Sequence, residues 1–512
     1  MQCVDKEPDF CSCVNMWVNC DCQSGNKNIG NLFHGQQYIR IRNCSQLTVP
    51  RGSFKSETLM IIFNDIQNLR LDADSFKMRK NSHINITISN SNLSEIPSGM
   101  LGVSRQRPRE PILPSRGYKG VVFQVTGSVV GRIAPGVFAN HTLHRVTFTN
   151  TTIAHIDTGA IDNQLQETIS FINNTFVSLG RQAVRLQGNN KISMLVFDGN
   201  SFKGNVTQFL EGTIADACIL NNKFPRLHTS PWRLRVEGQV MVQGNTFLLL
   251  PSHGMDFRIR HRIRLVDNDI RHLGPEAFLL IVPEGENTIL LMDGNLIHRM
   301  EPRSLCLNDA FIPHYVIIKH VKFQHKCSCN ITKTLSQALD IKNLTLETIH
   351  SNEVHEQWFK NGECMLKPQG IAYISIVQFL IKSCLHLQNN HLTEILIAMA
   401  VIIILIALCV ILGWRRMRRT ASNVASNVNS LAAGYHSYTE PCPSTTAAGG
   451  SMLVVHPEPR TYQETEIHVL FDQAQEIDDD YDVNKDDRSN GRIHDIKRTP
   501  SPKTRQSCPV LL

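Results

Sequence analysis

The sequence predicts a parallel β-solenoid ectodomain followed by one transmembrane α-helix and a disordered tail, and three observations carry that fold class. A short apolar motif built around Asn recurs through the long middle of the chain at a period typical of stacked repeats. Twelve of the fifteen cysteines and all nine Asn-x-Ser/Thr sequons lie before residue 395. The run ILIAMAVIIILIALCVILGW, residues 395–414, then holds twenty residues without a charge. At about 1.5 Å per residue such a helix matches the hydrocarbon thickness of a bilayer.

Residues 1–50 are read as a cysteine-rich N-terminal cap, with Cys3, Cys11, Cys13, Cys20, Cys22 and Cys44 crowded together. An even number of ectodomain cysteines in an oxidising compartment reads as disulfides. The Cys-x-Cys pairs, Cys11 with Cys13 and Cys20 with Cys22, are spaced too tightly for structural zinc, so neither a metal nor a cofactor is expected. The chain opens MQCVDKEPDF, without the apolar stretch of a signal peptide, so a start truncated relative to the secreted precursor is expected.

Residues 51–305 hold about ten repeats. Written φ-x-φ-x-x-N-x-φ, with φ apolar, the motif fits LMIIFNDI, ISFINNTF, LVFDGNSF, ACILNNKF, VMVQGNTF, IRLVDNDI and LLMDGNLI. Ser91, Ser128 and Thr151 take the place of Asn in three further units. The Asn-equivalent positions recur mostly every 22 to 27 residues, with one gap of 37 that holds the insert SRQRPREPILPSRGYKG. Only a solenoid gives each such unit a neighbour on which to bury its apolar face.

Several units continue as φ-x-x-x-x-φ, as in IRLVDNDIRHLGPEAF and VTFTNTTIAHIDTGAI, and on these residues the chain resembles leucine-rich repeats over about residues 39–305. The resemblance implies a short strand at φ-x-φ on a concave sheet and an Asn that satisfies backbone groups where the chain turns inward. A right-handed parallel β-helix is the alternative, since NNTF, GNSF and GNTF would also suit its turns. Residues 306–384, with Cys306, Cys327, Cys329, Cys364 and Cys384, resemble a C-terminal cysteine cap. That resemblance implies pairing of Cys327 with Cys364 and Cys329 with Cys384; sequence alone leaves the connectivity open.

A stalk of residues 385–394 leads to the membrane span. Glu394 precedes it and Arg415, Arg416, Arg418 and Arg419 follow, which places the C-terminal side in the cytoplasm. The sequons agree, because Asn43, Asn85, Asn92, Asn140, Asn150, Asn173, Asn205, Asn330 and Asn343 all precede the span and glycosylation is lumenal. A second apolar run, Ile371–Ile381, is too short to cross. A plasma-membrane protein with an extracellular N-terminus is expected. The tail, residues 415–512, is rich in Ala, Ser, Asn and Pro and carries an acidic run, a composition that buries too little to fold. Tyr481, Thr499 and Ser501 are candidate phosphorylation sites, and the final VLL resembles a carboxyl terminus that adds a strand to a PDZ domain. With no kinase signature, any output would pass through recruited cytoplasmic adaptors.

No hydrolase, metalloprotease or phosphate-loop signature occurs, so the protein is read as non-enzymatic. Asp198 and Asp293 take equivalent repeat positions four coils apart, roughly 19 Å at the strand spacing of a parallel sheet, too far for a glycosidase pair. The alternation FRIRHRIRLVDN supplies the main binding candidate. Counted from Asn268, Arg262 and Arg264 fall on the solvent side of the strand, beside Gln239 and Met241 of the preceding coil. Arg258 and Arg260 lie further upstream beside Arg235 and Glu237, where a leucine-rich repeat has left its sheet for the connecting side. Arg233, Arg235, Arg258, Arg262 and Arg264 are the proposed contacts for an extracellular acidic protein or anionic glycan; the alternative is a solvated strand face. His261, sharing parity with Ile259 and Ile263, is expected to be packed. The chain has 52 Lys plus Arg against 45 Asp plus Glu, a mild excess that permits anionic partners without demanding them, and no nucleic acid is expected. The expected function is a single-pass receptor or adhesion molecule; the alternatives are a membrane-anchored β-helix acting on polysaccharide and a structural matrix-attachment protein.

Overall fold

A computed structural model describes residues 9–30, 33, 35–55, 57–76, 82–102, 120–138, 141–188, 193–342, 352–367, 372–385 and 396–416. The repeats form a parallel β-solenoid of about twelve coils. In its later half each coil contributes three short strands, such as Asp256–Ile259, Arg262–Val266 and Asp269–Leu273, and each strand pairs in parallel with its equivalent one coil away. Three ladders result. The second runs from Trp17–Asp21 to Val316–Lys319 and the third from Asn26–Asn28 to Val321–Lys326. The first ladder begins at the long strand Ile161–Ile172, whose two halves serve the first and second ladders. Arg258 therefore stands on a strand of its own rather than on a connecting segment, and the arginine alternation breaks between Ile259 and Arg262.

Period-2 alternation sends one side of each strand inward. Thr58–Ile66 places Leu59, Ile61, Phe63 and Ile66 in the core, with Met60, Ile62 and Asn64 half-buried outside. Because identical positions stack every coil, inward phenylalanines form columns. Phe148, Phe171 and Phe197 have centroids 5.4 and 4.9 Å apart, and Phe176, Phe202, Phe224 and Phe247 stand 4.8, 4.7 and 5.2 Å apart. Offset stacking adds to the burial of these rings.

The corner between the second and third ladders explains the motif. One residue per coil adopts a left-handed conformation there: Asn43, Asp65, Asn90, Gly127, Asn150, Asn173, Gly199, Asn221, Gly244, Asp267, Gly294 and His320. Asn, Asp and Gly tolerate that backbone best. The next residue turns inward, and from Thr151 to Asn295 its side chain is shared between coils. Asn245, for example, donates to the Ile219 carbonyl at 2.7 Å, while its Oδ1 accepts from the Asn222 backbone N–H at 2.9 Å. Every buried asparagine from Asn174 to Asn295 makes the equivalent pair of bonds. Ser128 accepts from the Ser91 N–H at 3.1 Å in the same way. The unit LMIIFNDI sits two residues off this register. Asp65 takes the corner and Ile66 the inward slot, with its N–H held by Ser91 at 3.1 Å, so Asn64 lies on the outer face.

Parallel stacking continues past residues 51–305 into both cysteine-rich segments. At the N-terminal end Cys11–Val14 folds back antiparallel on Trp17–Asp21, and disulfides join Cys11 to Cys20 and Cys22 to Cys44. Cys13 is also disulfide-bonded; Cys3 lies outside the described residues. At the other end helix α1 (Ile331–Ala338), helix α2 (Glu353–Asn361) and the hairpin Gly362–Lys367 with Ala372–Ser375 close the stack. Disulfides join Cys327 to Cys364 and Cys329 to Cys384, the pairing the resemblance implied. From α2, Gln357 accepts from the Ile318 N–H at 2.8 Å and donates to the Val316 carbonyl at 2.7 Å, and Asn361 donates to the Ile318 carbonyl at 2.8 Å. The last strand of the second ladder thus meets side-chain amides instead of an open edge. A separate helix, Leu396–Arg416, has 21 residues, a mean hydropathy of 3.3 and no burial, and is long and apolar enough to cross a membrane.

Candidate functional site on the outer faces

The first ladder carries a charge row. Asp162, Arg185, Glu211, Arg233 and Asp256 follow one another in register across five coils, alternating in sign. Arg185 meets Asp162 at 3.0 Å and Arg233 meets Asp256 at 3.2 Å. The parallel row places Arg235 beside Arg258, where Arg235 contacts Glu237 at 3.4 Å and Glu284 at 2.9 Å. Arg260 pairs with Glu237 at 2.9 Å. Contacts this exposed contribute little stability singly, but they compensate the charge of Arg233, Arg235 and Arg260. Arg258 is exposed, and among the described residues no carboxylate lies within 4 Å of it.

The five predicted arginines therefore do not form one cluster. Arg262 and Arg264 stand on the second ladder, in register with Gln239 and Met241 of the preceding coil and with Ile289 and Leu291 of the next. Arg262 is exposed, with no carboxylate within 4 Å among the described residues, while Arg264 is half-buried. His261 is exposed, contrary to expectation, because the chain bends at Arg260 and His261 between two ladders and the strand parity that would bury it stops there.

Asp198 and Asp293 occupy one row, through Leu220, Gln243 and Val266, four ladder steps apart as expected. Asp198 accepts from Asn221 at 2.9 Å and Asp293 is within 3.0 Å of His320. Burial perturbs several titratable groups, the buried His141 and the half-buried Cys306 among them. Burial pulls the His141 imidazole below its ordinary value and pushes the free Cys306 thiol above its own. Cys306 lines a cavity of about 500 Å³ with Arg303, Asp340 and His355.

Sequons fall on outer positions. Asn43, Asn150 and Asn173 all occupy the left-handed corner and are exposed; Asn92, Asn205 and Asn330 are exposed elsewhere, and Asn85 is half-buried on the second ladder. Asn140, Asn343, the stalk residues 386–394 and the tail sites Tyr481, Thr499 and Ser501 lie outside the described residues. Sequence reasoning missed the corner row and the alternating charge row. The first had a legible signal, the Asn, Asp or Gly that precedes nearly every inward Asn, Ser or Thr. Comparison with protein-family models, curated proteins and solved structures finds no match for this chain, so its outer faces must be read from their own geometry.

Proposed function

We propose that the protein is a single-pass cell-surface solenoid, a non-catalytic receptor or adhesion molecule that binds an extracellular ligand on its coils and recruits cytoplasmic partners through its tail. One observation carries this reading: every sequon and every disulfide whose two cysteines are described precede a single exposed apolar helix, and an arginine cluster follows it. The strands on three sides of the later coils favour β-helix coil geometry over that of a leucine-rich repeat. Polysaccharide cleavage, the activity that geometry brings to mind, finds no support in the spacing of Asp198 and Asp293.

Intact cells expressing the full chain test the placement. Impermeant biotinylation and glycosidase treatment should modify residues before the helix, and an epitope after residue 416 should be reached only on permeabilised cells; the reverse pattern would overturn it. Deletion of residues 420–512 separates a signalling receptor from a matrix attachment. Loss of a ligand-dependent cellular response with retained adhesion supports the receptor, and full retention of both supports the structural alternative.

A further inference from the structure

We infer that the N-terminal end of the second ladder's outer face is a docking patch for an extracellular protein segment that presents apolar side chains beside a carboxylate. The inference rests on the extracellular placement proposed above and names a surface on which the ligand binds. The hairpin of Cys11–Val14 with Trp17–Asp21 turns through Asn15 and Met16 alone, at φ 52° and 68°. Two-residue turns of this left-handed kind favour Asn followed by Gly, because a side chain at the second position crowds the backbone. Methionine there works against the turn, and it is 59% exposed, so its side chain does little for the core either. Val14, 54% exposed, stands opposite Trp17 on the same side of the hairpin. A strained, solvent-facing methionine beside an exposed valine is a feature that folding does not explain.

The face continues over the first coils. Trp17 and Tyr38 lie side by side with ring centroids 5.5 Å apart, and Met60 is in register with Tyr38 on the next strand. All three are half-buried outer positions. Arg40 is exposed, with its guanidinium 5.2 Å from the Trp17 ring centroid, and among the described residues no carboxylate lies within 4 Å of it. Its neighbour Arg42 differs, being paired with Asp21 at 3.0 Å. Tryptophan, tyrosine, methionine and arginine are the residues enriched where proteins bind proteins. A carboxylate from outside would complement Arg40 where the apolar neighbours exclude water. Aliphatic groups flank the rings, Val14 on one side and Met60 on the other, where a stacked sugar would need hydrogen-bonding partners, which favours a protein over a glycan. The Cys13 disulfide leaves from the other side of the hairpin, since Cys13 stands opposite the inward Val18 and Val14 opposite the outer Trp17. Asn85, in register with Met60 and itself a sequon, bounds the patch after three coils.

The test uses the full chain in lipid nanodiscs, panned against a displayed library of random linear peptides, with heparin as a second probe. Enriched peptides should combine aliphatic or aromatic residues with Asp or Glu. Their binding should fall at least tenfold with Arg40→Glu and at least fivefold with Met16→Gly, and stay unchanged with Lys223→Glu on the third ladder. Met16→Gly also separates binding from folding, because it relieves the turn, so its melting temperature should equal or exceed that of the parent. No enrichment, peptides without acidic bias, binding indifferent to either substitution, or a lower melting temperature for Met16→Gly would each overturn the patch. Arg40-dependent heparin capture would overturn it too, assigning the face to a sulfated glycan. Surface labelling on intact cells reports the placement separately, so the two can fail independently.

Discussion

Asn245 shows how much a single amide does in this fold. Its buried side chain satisfies one carbonyl and one N–H of the preceding coil, and a buried polar group left unpaired costs about 1–3 kcal/mol. Asn245→Ala should therefore destabilise the solenoid by about 2–4 kcal/mol in denaturant unfolding followed by fluorescence. Asn245→Ser should cost less, because Ser91 and Ser128 already fill the equivalent slot and accept the same bond. His141 makes a pH prediction. Burial lowers its pKa, so the folded chain keeps it neutral where the unfolded chain takes a proton. Its contribution to stability is complete above about pH 6.5, the ordinary histidine value, and declines as pH falls below it. Thermal melts should show a smaller loss between pH 7 and pH 5 for His141→Gln than for the parent.

At the scale of elements, ladders behave as rows of like positions, so one substitution acts on its neighbours in two coils. Arg233→Glu would set three acids in succession along the first ladder, between Glu211 and Asp256. Its melting temperature should fall at low salt and recover as salt screens the repulsion. The end of the second ladder depends on Gln357, so Gln357→Ala should expose the Val316–Lys319 edge and raise self-association in sedimentation velocity. The spacing of the motif made the second ladder legible, and it placed Arg264 beside Met241 and Arg258 beside Arg235, but not the strand on which Arg258 stands. Two further things were hidden. A single unit such as LMIIFNDI has two ways to align, and only the pairing of Ile66 with Ser91 chooses between them. His261 follows its neighbours' parity in the letters, yet no periodicity records that the chain bends there.

For the whole molecule, stability is distributed by coil, since each coil contacts mainly its two neighbours. The disulfides whose two cysteines are both described lie at the two ends, Cys218 is a further disulfide-bonded cysteine in the middle, and the asparagine bonds run from coil to coil through that middle. Reduction should thus open the ends first. Hydrogen exchange after reduction should show protection lost in residues 9–49 and 316–385 and kept from 174 to 295, with a uniform loss counting against this division. The asparagines also have a direction: each reaches back toward the N-terminus, to the N–H and carbonyl of the coil already laid down. A chain that emerges from the ribosome N-terminus first would therefore have each corner completed by the coil synthesised after it. In that middle stretch a nascent solenoid of any length carries the same one unfinished corner at its growing end, so elongation adds coils without adding to the debt.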